Sequence, residues 1–288
     1  MRKIKIAICY DFDGTLSPGN MQEHSLLPAL NIKKKVFWDE VKKIAKEKKM
    51  NEVLAYMYLT LEKAKQVQHR ITRKAFKDHG KNINLFDGLN DYFKEINKYA
   101  TAKNLIIEHY IISSGLKEII EGTKIKNNFK FIFASEFYYD ENGVAKWPSL
   151  AIDYTNKTQY LFRINKGIIN VWDNTRINKY TPEEKRYIPF SRIIYIGDGE
   201  TDIPAMKMVN YQGGYSIAVY DPNRRHSKNK KSPKEICLEL LNHNRAKYIA
   251  PANYSKNSEL VKIIRLIIDK ISSEVSLLKI VSNTKTNN

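Results

Sequence analysis

The chain has 288 residues, 42% hydrophobic and 28% charged, proportions of a globular protein with one large domain carrying an insertion or with two modest domains; they exclude a wholly disordered chain. Its 49 Lys and Arg against 31 Asp and Glu give a formal charge of +18, a field that draws anions such as nucleic acids, acidic membranes and phosphorylated metabolites. The lysines are scattered, and the densest runs, Lys33-Lys34-Lys35 and Lys228-Asn229-Lys230-Lys231, are short, so the charge reads as a solvated surface and not as a nucleic-acid tract.

The first element, residues 4–10, is an apolar, β-rich run that ends abruptly at Asp11-Phe12-Asp13-Gly14. This is the pattern of a buried parallel strand that delivers acidic residues at its C-terminal end. No secretory h-region precedes it, and no apolar run approaches the roughly 18 residues of a membrane span, so a cytoplasmic protein is expected. Cys9 lies inside the run as a buried reduced thiol; with Cys237 the only other cysteine, neither a disulfide framework nor a cysteine zinc site is in view.

Pro18-Gly19-Asn20 then breaks the chain. From about 21 to 81 the spacing is helical throughout, with Val36, Phe37, Trp38, Val41, Ile44 and Ala45 in one stripe and Val53, Leu54, Met57, Tyr58 and Leu61 in another. No strand signal interrupts this stretch. Residues 18–83 are therefore expected to form an α-helical cap inserted into a core built from 1–17 and 84–288. Pro18-Gly19 and Gly88 stand at the two crossings as candidate hinges. Gln22, Glu23 and His24 read as a solvated first turn, and Trp38, Tyr56 and Tyr58 as packing within the cap.

Beyond Leu85-Phe86-Asp87-Gly88 the chain alternates. A helix over 89–100 precedes a strand over 106–112 that ends at Ser113-Ser114-Gly115, and a second helix leads to a strand over 129–134. Asn142-Gly143, between 137–139 and 144–147, is a hairpin signal. A helix starts near Lys157, a strand over 193–196 ends at Gly197-Asp198-Gly199, and 216–220 reads as the last core strand. The run 258–281 sets Leu260, Ile263, Ile264, Ile267, Ile268 and Ile271 among Lys262, Arg265 and Lys270, a helix expected to dock on the sheet; 282–288 reads as a polar tail. The alternation predicts the α/β class, a Rossmann-like, doubly wound, mostly parallel sheet.

In open α/β sheets ligands bind outside the carboxyl ends of the strands. Three predicted strands end in polar, glycine-bearing turns, and one parallel sheet brings all three to one rim. Asp11, Asp13, Asp198 and Asp202 gathered there would repel one another unless a cation sat among them, and oxygen ligands of this kind suit Mg²⁺. A carboxylate that attacks a phosphate monoester also meets an anion, a repulsion that the metal offsets. The product is an aspartyl-phosphate.

The ordered set Asp11-x-Asp13-Gly14-Thr15, a strand-terminal Ser113, a lysine, and Gly197-Asp198-Gly199-x-x-Asp202 resembles the haloacid dehalogenase superfamily of phosphohydrolases, over residues 4–17 and 85–220. The resemblance implies that Asp11 is the nucleophile and Asp13 the general acid, then the base. It implies that Ser113, with backbone groups of the Ser114-Gly115 turn, holds the phosphoryl oxygens. Mg²⁺ would rest on the Asp11 carboxylate, the Asp13 backbone carbonyl and Asp198, with Asp202 ligating or orienting the metal. For the family's lysine, Lys157 and Lys166 compete. The family places it at the N-terminal end of a helix, which favours Lys157.

Asp13 argues against the dehalogenases, which resemble this pattern but lack the second aspartate. The helical insert and the small hairpin are most similar to the phosphoserine-phosphatase-like branch. The chain departs from that branch at Gly14, where a serine or similar residue stands, and at Asn20, near the position of its amine-reading glutamate. The expected partner is a small phosphorylated metabolite. The rivals are a phosphatase acting on nucleic-acid ends and a basic nucleic-acid-binding protein whose acidic cluster is merely structural, though no recognition motif supports binding of that kind.

Overall fold

Seven strands, β1 (Ile4–Tyr10), β2 (Leu105–Leu116), β3 (Phe131–Tyr139), β4 (Ala145–Leu150), β5 (Ile193–Gly197), β6 (Tyr215–Tyr220) and β7 (Tyr248–Pro251), form one sheet in the order β4-β3-β2-β1-β5-β6-β7. The computed structural model describes residues 4–224 and 230–286, so Lys228 and Asn229 of the second lysine run and the last two residues of the tail lie outside it. Neighbouring strands pair in parallel except for the β3–β4 hairpin.

The helices are α1 (Leu26–Ala29), α2 (Lys34–Glu47), α3 (Glu52–Gln66), α4 (Arg73–Gly80), α5 (Leu89–Thr101), α6 (Lys117–Gly122), α7 (Lys157–Lys166), α8 (Asn174–Asn178), α9 (Ile203–Tyr211), α10 (Pro233–Asn242) and α11 (Glu259–Thr286). They cover both faces of the sheet, and the central strand shows why its sequence is a continuous apolar run. Ile6, Ile8 and Tyr10 enter one core with Phe93 of α5 and Ile264 of α11, while Ala7 and Cys9 enter the other with Leu161 of α7 and Met206 of α9. Among the described residues no helix is long and apolar enough to cross a membrane.

Among the elements that differ from the sequence reading, three bear on the sheet and its flank. β6 is not the last strand, because Tyr248–Pro251 adds a parallel edge strand beside it. Four residues are too few to show an alternation, and a proline is tolerated at a sheet edge. β2 runs on to Leu116, with Ser113-Ser114-Gly115 as a register shift inside the strand and not a turn after it. α11 continues to Thr286, through most of the expected tail, since no glycine or proline stops it.

The helices α1 to α4 lie between β1 and α5, and their buried side chains join the same core as α5 and α11. α4 meets α6 backbone to backbone: a Cβ on Gly80 would fall 2.0 Å from the Ile119 carbonyl oxygen, and one on Gly122 would fall 1.9 Å from that of Lys77. The two crossings are stitched together by the Phe86 N–H to Leu16 carbonyl bond (3.1 Å) and the Ser17 Oγ to Asn84 carbonyl bond (2.8 Å). Gly88 is packed closely against the chain after β7. Its φ is +85°, and a Cβ there would lie 2.1 Å from the backbone nitrogen of Ser255. Gly19 is open by comparison, its nearest neighbour being Glu23 Oε2 at 3.8 Å from a built Cβ.

Candidate active site

β1 lies between β2 and β5, so the motifs at the C-terminal ends of these three strands meet at one rim. The Asp11 N–H still pairs with the Ile196 carbonyl (2.9 Å), which fixes Asp11 at the point where the ladder ends. Carboxylate oxygens of Asp11, Asp198 and Asp202 lie within 4.8 Å of one another. Lys157, the first residue of α7, follows the hairpin in the chain and is fully buried. Its Nζ lies 3.2 Å from Asp11 Oδ1 and donates to Asp202 Oδ1 at 2.7 Å. Lys166 is elsewhere, donating to the carbonyls of Ile177 (2.5 Å) and Lys179 (2.8 Å).

Asp202 is held from three sides, by Lys157, by the Tyr195 hydroxyl (2.7 Å) and by the Asp198 N–H (3.1 Å). Asp11 is not. Its Oδ1 sits at ion-pair distance from Lys157 but off the hydrogen-bond direction, and this buried oxygen has no hydrogen-bond partner. An orphaned buried oxygen of this kind needs a partner.

The electrostatics say the same. Burial opposes the charge on Lys157, but the carboxylates of Asp11 and Asp202 more than offset it and hold its pKa above the ordinary lysine value. Burial raises Asp11 to about 6, with Lys157 pulling it down and Asp202 pushing it up. Burial, then the charges of Asp202 and Asp11, raises Asp198 to about 8. One ammonium does not balance three clustered carboxylates. An all-oxygen donor set, excess negative charge and an unpartnered buried oxygen fit a hard divalent cation such as Mg²⁺.

Gly14 explains itself here. Its φ is +71°, and a Cβ would fall 1.9 Å from Asp198 Oδ2, so a side chain at this position would displace that carboxylate. The Asp13 carboxylate is not part of the cluster of three. It turns toward the inserted helices, its Oδ1 accepting from the Met21 N–H at 2.8 Å. Burial, followed by the charge of Asp11, raises its pKa well above the carboxylate range, which favours the protonated acid.

Ser113 is buried, and its Oγ accepts from the Gly115 N–H at 3.1 Å, closing the turn in β2. A Cβ on Gly115 would strike Met21 Cε at 2.0 Å and approach Asp13 Oδ2 to 3.3 Å, so this turn lies against Asp13. The Ser114 carbonyl accepts from the Tyr56 hydroxyl of α3 at 2.7 Å. Tyr56 therefore does more than pack the inserted helices: it ties them to the Ser113–Gly115 turn. Glu23 is occupied within the insert by Asn20 and the Trp38 indole, each at 2.9 Å, and His24 donates to the Pro18 carbonyl at 2.9 Å.

Sequence reasoning missed Tyr195 and the wall beyond Asp198. A hydroxyl-bearing aromatic in an otherwise aliphatic buried strand must find a partner, and that was the available signal for Tyr195. From Gly14, Gly19 and Asp198 a cleft of about 430 Å³ extends to the end of β6, where Tyr220, Arg224 and Lys230 line it. No comparable sequence pattern marks Arg224.

A family model of haloacid dehalogenase-like hydrolases matches residues 8–207. An uncharacterized protein of Borreliella burgdorferi is 29% identical over 297 residues, covering 94% of this chain and 98% of its own. Among solved structures, a HAD family hydrolase of Salmonella enterica serovar Typhi superposes with a TM-score of 0.55 at 17% identity, over 91% of this chain and 70% of that one. A phosphoserine phosphatase solved as a phospho-aspartyl intermediate analogue superposes with a TM-score of 0.51 at 16% identity, over 92% of this chain and 99% of that one. At such identities these two structures speak to fold alone. The family match spans most of the chain and takes in Asp11, Asp13, Ser113, Lys157, Asp198 and Asp202: this protein belongs to the haloacid dehalogenase-like hydrolases.

Proposed function

We propose that this hydrolase is a Mg²⁺-dependent phosphatase that cleaves a phosphate monoester of a small metabolite through an aspartyl-phosphate on Asp11. One observation carries the reading: a buried Asp11 carboxylate with an unpartnered oxygen, 3.2 Å from a buried lysine and clustered with two further carboxylates. In this reading residues 18–83 form the cap over a core of 1–17 and 84–288.

An Asp11 oxygen attacks phosphorus, the bond to the leaving oxygen breaks, and that oxygen takes its electron pair and the Asp13 proton. Asp13, now ionised, removes a proton from water as the water attacks phosphorus. The bond from phosphorus to Asp11 breaks, releasing phosphate and restoring the carboxylate. Lys157 neutralises charge on Asp11 and on the transferring group, and Asp202 positions Lys157. Ser113, Ser114 and Gly115 hold the phosphoryl oxygens. Mg²⁺, held by the Asp11 and Asp198 carboxylates and the Asp13 backbone carbonyl with Asp202 behind them, would offset the charge repulsion between nucleophile and phosphate. The raised pKa of Asp13 supports its part as the acid.

The test is hydrolysis of nitrophenyl phosphate and of a metabolite ester panel with and without Mg²⁺, with acid-quench trapping of labelled phosphoenzyme. Turnover that survives complete chelation, or the absence of turnover across the panel, would sink the reading.

A further inference from the structure

We propose that the cleft beside Asp198 binds a second anionic group of the substrate, so that the preferred esters are small molecules carrying a second phosphate. The inference rests on the phosphatase reading and names the substrate class. The reacting phosphate has its own cation, since Lys157 is sealed between Asp11 and Asp202 and cannot reach out of the rim. Arg224 reaches that machinery only through its charge, which acts on Asp198, and Lys230 stands apart from it. Both are exposed, both line the cleft whose opposite wall is Gly14, Gly19 and Asp198, and neither forms a salt bridge among the described residues. Lys231, on the same wall, is by contrast neutralised by Glu239.

In a chain this basic, an unpaired surface lysine is ordinary. Two unpaired cations on the wall of a concavity that opens onto the candidate metal cluster are a different matter, because a cleft focuses their field where a convex surface disperses it. The guanidinium fork also matches phosphate oxygens in pairs. Asp221 is the opposing charge on this wall, and its Oδ1 is already engaged by the Asn223 N–H at 2.8 Å. The size of the cleft selects among anions. About 430 Å³ is the scale of a small-molecule site, whereas a nucleic-acid strand calls for an extended basic groove.

The test compares kcat/KM for fructose bisphosphate and fructose monophosphate, in the wild type and in an Arg224→Ala/Lys230→Ala double variant. The wild type should prefer the bisphosphate by about tenfold or more, the scale of a lost charge-assisted contact, and the double variant should bring the ratio near one, mainly through KM. No preference in the wild type, or a ratio the double variant leaves unchanged, overturns the proposal. A singly end-phosphorylated oligonucleotide that outcompetes the bisphosphate overturns it as well and assigns the cleft to nucleic acid. If neither sugar ester turns over, the phosphatase reading is judged on nitrophenyl phosphate and the wider ester panel, and calorimetric titration of fructose bisphosphate still decides the cleft. Weaker binding to the double variant than to wild type supports an anion subsite; equal binding removes it.

Discussion

The Lys157 ammonium lies 3.2 Å from Asp11 Oδ1, and the two side chains are only 1% and 7% exposed. In so dry a setting a single positive charge is worth far more than at the surface, where ion pairs contribute about 0–1 kcal/mol. Lys157→Ala should therefore cost roughly 10²–10³ in kcat, the scale of losing an oxyanion-hole donor. Lys166→Ala, which removes only contacts to two carbonyls at the C-terminal end of α8, should leave kcat within about twofold. Equal losses in the two variants, measured by steady-state kinetics, would remove Lys157 from the transition state.

Asp11→Asn should abolish turnover while the fold persists, because an amide is a poor nucleophile and a poor Mg²⁺ ligand. Asp13→Ala should separate substrates by leaving group. Nitrophenolate departs without a proton and should suffer less than an alkyl phosphate, whose alkoxide needs one. Equal losses on both esters would take the proton-transfer role away from Asp13.

Metal-free stability should fall with rising pH, opposite to the usual carboxylate behaviour. Asp198 has its pKa raised from 3.8 to about 8 in the folded chain, and Asp11 from 3.8 to about 6. The folded state then holds more protons than the unfolded one across that window, so their contribution is complete below pH 3.8 and is lost as pH rises through the folded values. Bound Mg²⁺ requires the ionised forms and reverses the trend. Thermal melts in chelator should drop between pH 5 and 8 (about the window of the shifts), while the gain in Tm from added Mg²⁺ should grow over the same range. A gain independent of pH would mean that these carboxylates are not the ligands.

Much of this site was legible in the sequence because its residues stand where apolar runs stop. β1 ends at Tyr10 and Asp11 follows; β5 ends at Gly197 and Asp198 follows; α7 begins at Lys157 itself. What escaped the reading depends on neighbours distant in the chain. Tyr56 looked like any aromatic at helical spacing until its hydroxyl met the Ser114 carbonyl. Gly80 and Gly122 gave no local signal, since each is required by the backbone of the other's helix. β7 was too short to register, and Arg224 acquires meaning only from the cleft opposite it.

Gly14 yields a prediction from geometry alone. Gly14→Ala must place a Cβ at φ +71°, 1.9 Å from Asp198 Oδ2, and only a shift of that carboxylate can relieve the clash. The left-handed backbone costs about 1 kcal/mol for a residue with a Cβ. The larger effect should fall on the metal, with the Mg²⁺ concentration for half-maximal activity rising about tenfold or more, the size of effect seen when a ligand's support is disturbed. An unchanged Mg²⁺ requirement would show that Asp198 does not need its present position.

The inserted helices should not move as one body. α4 is fastened to the core through backbone: Gly80 and Gly122 touch, the Ala145 N–H donates to the Ile71 carbonyl at 2.8 Å, and the Arg73 N–H donates to that of Gly143 at 3.4 Å. Separating such surfaces exposes peptide groups that then need new partners. The polar ties from α3 are side-chain hydrogen bonds, from Tyr56 to the Ser114 carbonyl at 2.7 Å and from Asn51 to Asp153, which can break and reform with solvent, and its remaining hold on the core is through apolar side chains. Opening for substrate should therefore lift α1 to α3 and leave α4 in place, bending the chain near Gly19 and between α3 and α4. Hydrogen exchange read by mass spectrometry tests this with Mg²⁺ and orthovanadate as a phosphate mimic. Peptides from α2 and α3 should gain protection on addition of the mimic, while those from α4 stay as slow as the sheet in both states. If α4 gains protection together with α2 and α3, the whole of 18–83 moves as a unit. If no peptide changes, the insert does not gate the site.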